Sequence, residues 1–139
     1  MTPKDEGFSA EEKAAMRQAA AERKRTAAGK NSEADVLAAI AAMDAHDQAI
    51  AEGLHALVKR ELPELTSKTW YGFPAYCKGK DVVFFFQCAG KFKTRYGHIG
   101  FQEAAQLDDG TMWPTAYAIT EWNADVEARV SELIKRAVG

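Results

Sequence analysis

A chain of 139 residues with a net charge of −2 and a pI near 5.9 is long enough to bury its own core, and too acidic overall for a dedicated nucleic-acid binder. No apolar stretch approaches the ~20 residues that cross a bilayer. The polar start MTPKDEGFSAEEK lacks the apolar segment of a signal peptide, so a cytoplasmic protein is expected.

Ser9 followed by Glu12 has the spacing of a capping box and predicts a first helix that runs to a stop at Gly29. Its apolar content is mostly alanine, so residues 1–30 read as a helical arm beside a domain spanning 31–139. The Arg23-Lys24-Arg25 cluster reads as a solvated face. Ser32 and Asp35 repeat the box and start a second helix carrying Val36, Leu37, Ile40 and Met43. After a break at Asp44 and Asp47, Ile50, Leu54, Leu57 and Val58 form the core stripe of a third helix, which Pro63 ends. His55 beside that stripe reads as a half-buried structural residue.

From Thr66 onward the pattern changes to strands. Residues 69–71 and 75–78 predict two short strands broken at Gly72 and Pro74. The unbroken apolar run 82–88 predicts a central strand, with Phe84 and Phe86 facing one layer and Val83 and Phe85 the other. Residues 91–99 alternate and predict a further strand: Lys91, Lys93 and Arg95 point one way, Phe92, Thr94, Tyr96 and His98 the other. A helical piece near 102–105, an edge strand at 115–119 and a final helix capped by Asn123 complete the chain. Cys77 and Cys88 lie in apolar strands and read as buried free thiols. The expected class is α+β: an antiparallel sheet of about five strands with helices packed on one face, plus the N-terminal helical extension.

Charge is uneven along the chain. Residues 9–30 carry six basic and three acidic groups, 32–62 two and six, and 66–101 six and one, for surpluses of +3, −4 and +5. The basic surplus in the strand segment suggests a site. Lys91, Lys93 and Arg95 on one strand face, flanked by Tyr71, Tyr76 and Trp113, would hold a small anionic ligand or an acidic protein segment. A solvated edge strand guarded by lysines is the structural alternative. No nucleophile elbow, phosphate loop or HExxH spacing is present, so no catalytic residue is assigned.

The runs TWYGFPAYCKGKDVVFFF, KFKTRYGHIGF and LDDGTMWPTAYAIT resemble, in order, the motifs of the YdhG-like domain family of unknown function. The resemblance covers roughly residues 33–138, and it aligns Lys91 with the lysine of that family's strand. It implies a frataxin-like fold and, by analogy of fold, iron binding or delivery. Iron would call on oxygen ligands, for which Glu33, Asp35, Asp44, Asp47 and Glu52 are the candidates; Asp44 and Asp47 lie three apart with His46 between them. The alternative is that these acids cap helices and complement their dipoles.

Overall fold

The computed structural model describes residues 9–27 and 32–139. Among these, helix α1 (Ala10–Ala27) opens on the expected box: Glu12 N–H donates to Ser9 Oγ at 3.0 Å, and Ser9 N–H to Glu12 Oε1 at 3.2 Å. The stop predicted at Gly29 and the side chain of Arg25 lie outside the described residues. Helix α2 (Glu33–Ala41) begins where Ser32 N–H donates to the Asp35 carboxylate at 3.1 Å. Helix α3 (Ala45–Glu61) begins where Asp44 Oδ1 accepts Asp47 N–H at 2.9 Å, and it ends just before Pro63. These contacts satisfy backbone donors that have no partner inside a helix.

Five strands follow as a continuous antiparallel meander, β1 (Thr66–Trp70), β2 (Phe73–Lys78), β3 (Asp81–Gln87), β4 (Gly97–Phe101) and β5 (Ala116–Ile119), hydrogen-bonded in chain order. Helix α4 (Ala124–Val138) closes the chain, capped by Asn123 Oδ1 accepting Val126 N–H at 2.9 Å. The β1–β2 connection is a two-residue turn with both Tyr71 and Gly72 at positive φ (53° and 81°), as a type I′ turn requires. Pro74 lies inside β2, not in a break. It pairs with Thr69 of β1, while the ladder to β3 runs only from Ala75 onward. In such a hairpin the Trp70–Phe73 pair takes the hydrogen bonds, so the nitrogen of Pro74 faces away from β1 and its missing N–H costs no sheet bond.

The sheet has two apolar faces. Tyr76, Phe84, Phe86, Ile99 and Phe101 pack with Val36, Ile40, Leu54, Leu57, Val130 and Ile134 of α2, α3 and α4 into the main core. Truncating any one of its aromatic rings would cost on the order of 3 kcal/mol. Phe73, Ala75 and Phe85 form a second cluster with Trp70, Tyr71, Val82 and Phe92. Helix α1 packs against β1 and the turn that follows β3.

Three local expectations are corrected. Val83 joins Phe84 and Phe86 in the main core and does not face away with Phe85. The register slips between Tyr76↔Phe84 and Cys77↔Val82, which leaves Val83 as an extra residue and breaks the alternation. Residues 102–105 make a single turn closed by Ala105 N–H on Gln102 C=O, not a helix. Residues 91–99 are not one strand: a 3-10 turn (Gly90–Phe92) leads to Lys93 at φ 55°, and pairing to the sheet resumes only at Gly97.

Candidate ligand-binding surface

The 90–96 turn is anchored by the first turn of α3. The Asp47 carboxylate, buried to 2% exposure, accepts Ala89 N–H at 3.2 Å on Oδ1 and Gly90 N–H at 2.9 Å on Oδ2. Inside the turn, Thr94 N–H reaches Ala89 C=O at 3.1 Å and Thr94 Oγ1 donates to Tyr96 C=O at 3.0 Å. These backbone groups are satisfied locally, so none is left for a sheet ladder. A Cβ at Gly90 would run into the Asp44 and Asp47 carboxylates; exposed Asp44 can swing aside, but Asp47 is held by its two hydrogen bonds, so a side chain there would press on the anchor.

Lys91, Lys93 and Arg95 consequently project from one turn, not from one strand face. Lys91 Nζ lies 5.8 Å from the Phe73 ring centre and 5.7 Å from that of Phe92, and donates to Gln18 Oε1 of α1 at 2.6 Å. Lys93 is 80% exposed and pairs with Glu11 of α1 at 3.4 Å. The Arg95 guanidinium lies 4.9 Å from the Tyr96 ring. Of the three flanking aromatics, Tyr71 belongs to the second cluster beside Phe73 and Phe92, whereas Tyr76 is buried in the main core and Trp113 packs against it. The six residues therefore divide between the two faces of the sheet. Tyr76 is separated because it has the opposite parity from Phe73 along β2, and Trp113 because it comes from the loop before β5.

Two clefts flank the contact between α1 and this turn. One of about 440 Å³ is lined by Gln18, Asp44, Gly72 and Lys91, the other of about 450 Å³ by Met16, Tyr71, Phe73 and Phe92. A smaller cleft of about 260 Å³ between β5 and α4, with Tyr117, Arg129 and Leu133, holds none of the candidate ligand or metal residues read from the sequence.

The five acids considered for iron do not come together: Glu52 is exposed along α3, and the other four fall in two places. Asp44 and Asp47 meet at the start of α3, one as its cap and the other as the anchor of the turn. Glu33 and Asp35 stand at the start of α2, where Asp35 accepts from Ser32. Among the described residues no group of three or more His, Cys, Asp or Glu side chains is gathered as a metal site would gather them.

Glu33 instead belongs to a network the sequence did not reveal. His55 is buried, with Nε2 at 2.8 Å from Glu33 Oε2 and Nδ1 at 3.0 Å from the Tyr76 hydroxyl, and Lys59 Nζ reaches Glu33 at 3.2 Å. An ionised carboxylate only accepts, so Nε2 carries the proton; in neutral His55, Nδ1 then accepts from Tyr76 O–H. The hydrogen bonds from His55 and then Lys59 hold the Glu33 carboxyl below its usual range. Burial, and then the Glu33 charge, push the Tyr76 phenol upward, so it keeps its proton. The partners are 21 and 22 residues apart in the chain. No local spacing signals such a triad.

Cys77 and Cys88 are buried and free, as expected, and burial raises both thiols above their ordinary value. Half-buried His98 lies edge-on to Phe85, and burial lowers it. No helix among the described residues is long and apolar enough to cross a membrane. Comparison of the chain with models of known families, with curated proteins and with solved structures finds no match.

Proposed function

We propose that this protein is a binding domain for an acidic protein segment, received at the basic, aromatic turn of residues 90–96. The observation that carries the reading is the placement of Lys91 over the neighbouring Phe73 and Phe92 rings, with Lys93 and Arg95 on the same turn. Cations backed by aromatic faces give an incoming carboxylate both charge and apolar surface. Fixing the turn through buried Asp47 lowers the ordering cost of binding. This reading stands ahead of iron binding or delivery because Glu33, Asp35 and Asp47 are each engaged by other groups of the fold.

The test is a titration of the labelled protein with poly-L-glutamate, followed residue by residue by NMR. Amide signals of residues 90–96 and of Phe73 should move, and the affinity should fall as salt rises from low ionic strength, where charges are screened beyond ~10 Å at 0.1 M. The triple change of Lys91, Lys93 and Arg95 to Ala should remove the response. A response centred on Glu33 and Asp44 when ferrous iron is added, with no response to polyglutamate, would overturn it in favour of iron.

A further inference from the structure

The turn already has an occupant, and the occupant is part of the chain. Helix α1 meets the domain through Glu11, Ala15, Gln18, Ala19 and Glu22. Glu11 pairs with Lys93, Gln18 accepts from Lys91, Ala15 and Ala19 are buried, and Glu22 Oε1 accepts Gly72 N–H at 2.9 Å. These positions are i, i+4, i+7, i+8 and i+11, one stripe of an α-helix. The stripe is small, acidic and amide-bearing; Arg17 and Lys24 are exposed on the opposite side of the helix, and Arg23 is exposed at the stripe's edge, beside the cleft against β1. At the Lys93 end, the backbone at the helix start and then Lys93 hold the Glu11 carboxyl below its usual range.

The seat is weakly held. It buries two alanines and no large apolar side chain of α1 among those described; Met16 is 41% exposed. Glu22 Oε2 is buried and, among the described residues, has no hydrogen-bond partner. A buried polar atom without a partner opposes docking, and an exposed ion pair such as Glu11–Lys93 adds little.

From this geometry, and resting on the binding function proposed above, we infer that α1 is a displaceable intramolecular ligand. It occupies the turn and competes with an incoming helix that presents the same stripe of acid, amide and small residues at i, i+4, i+7, i+8 and i+11. Binding a partner therefore releases the arm, and the affinity seen by the partner is the intrinsic affinity scaled by the fraction of molecules whose arm is open.

The experiment uses the full chain and two readouts, amide hydrogen exchange in α1 and affinity for polyglutamate. An undocked helix of 18 residues opens and recloses within about a microsecond and protects its amides little, so strong protection of α1 reports its docking. Glu11→Lys should speed exchange across α1 and raise polyglutamate affinity about three- to tenfold. Glu52→Lys makes the same charge change at an exposed site on α3 and should do neither. Combining Glu11→Lys with Lys93→Glu reverses the pair and should restore protection. In the unaltered chain, saturating polyglutamate should speed exchange in α1.

If polyglutamate binds the turn while α1 exchange and the Glu11→Lys affinity stay unchanged, the displaceable arm is overturned and the binding function stands. If neither the unaltered chain nor Glu11→Lys binds polyglutamate, the function itself is overturned and the arm's competition with it. Failure of the reversed pair to restore protection overturns the seat as drawn. Glu11 is on the surface, so misfolding does not stand in for any of these outcomes.

Discussion

Asp44 and Asp47 lie three residues apart, and replacing each by Asn separates a metal-ligand role from a structural one. Asp44 is an exposed helix cap whose Oδ1 accepts one N–H. Asn caps as well as Asp, so Asp44→Asn should change stability by less than about 0.5 kcal/mol. Asp47 is buried and uses both carboxylate oxygens, one on Ala89 N–H and one on Gly90 N–H. Asparagine offers one oxygen and turns its amide donor against the other N–H. That loses one charge-assisted hydrogen bond and leaves a part-buried donor facing another donor, together about 2–3 kcal/mol. With a urea slope of ~2 kcal/mol/M, the unfolding midpoint should fall by about 1–1.5 M. Urea unfolding followed by tryptophan fluorescence reads both variants. Equal midpoints for Asp44→Asn and Asp47→Asn would refute the anchoring argument, since two interchangeable metal ligands would behave alike in metal-free protein.

Two further outcomes follow from other side-chain contacts, that of His55 with Tyr76 and that of Glu61 of α3 with Lys135 of α4 at 2.7 Å. Tyr76→Phe should cost about 1–3 kcal/mol by leaving His55 Nδ1 without its donor, and in a double-mutant cycle His55→Ala should cost less in that background; simple additivity would contradict the pairing. Glu61 is drawn down to about 2 by Lys135, then by Ser131 and Arg60. Its folded value lies below its ordinary value of 4.5, so its stabilisation is present above that pH and lost as pH falls toward 2. Thermal unfolding of Glu61→Gln should therefore depend less on pH in that window than that of the unaltered chain.

The helices were legible because their signals are local. A capping box needs residues three apart, and the stripe of Ile50, Leu54, Leu57 and Val58 is buried as its periodicity predicts. The central strand was legible from its apolar run, but the place of Val83 was not, because a register slip is decided by the partner strand. The 91–99 segment misled for a related reason. Its alternation is genuine, yet the N–H groups just ahead of it are captured by Asp47, 42 and 43 residues away. Lys91, Lys93 and Arg95 still share one feature because they are neighbours in the chain, whereas Tyr76 and Trp113 were grouped with them without knowledge of strand parity or loop path.

The arm shows how far a segment charge differs from what a surface meets. By tally, residues 9–30 carry +3 and 66–101 carry +5, which predicts that the two repel. The contact is made by acidic and amide groups: the face of α1 turned to the domain bears Glu11, Gln18 and Glu22, while exposed Arg17 and Lys24 lie on the opposite side of the helix. Separation decides which effect wins. Charges beyond ~10 Å are largely screened at 0.1 M salt, while Glu11 and Lys93 are 3.4 Å apart. Lowering the salt should then strengthen the long-range repulsion along with the pair, so the hold of α1 on the turn is set by a balance and not by the pair alone. A partner helix carrying the acidic stripe without the basic back face would escape the repulsive side of that balance, and on this argument it would outcompete the arm.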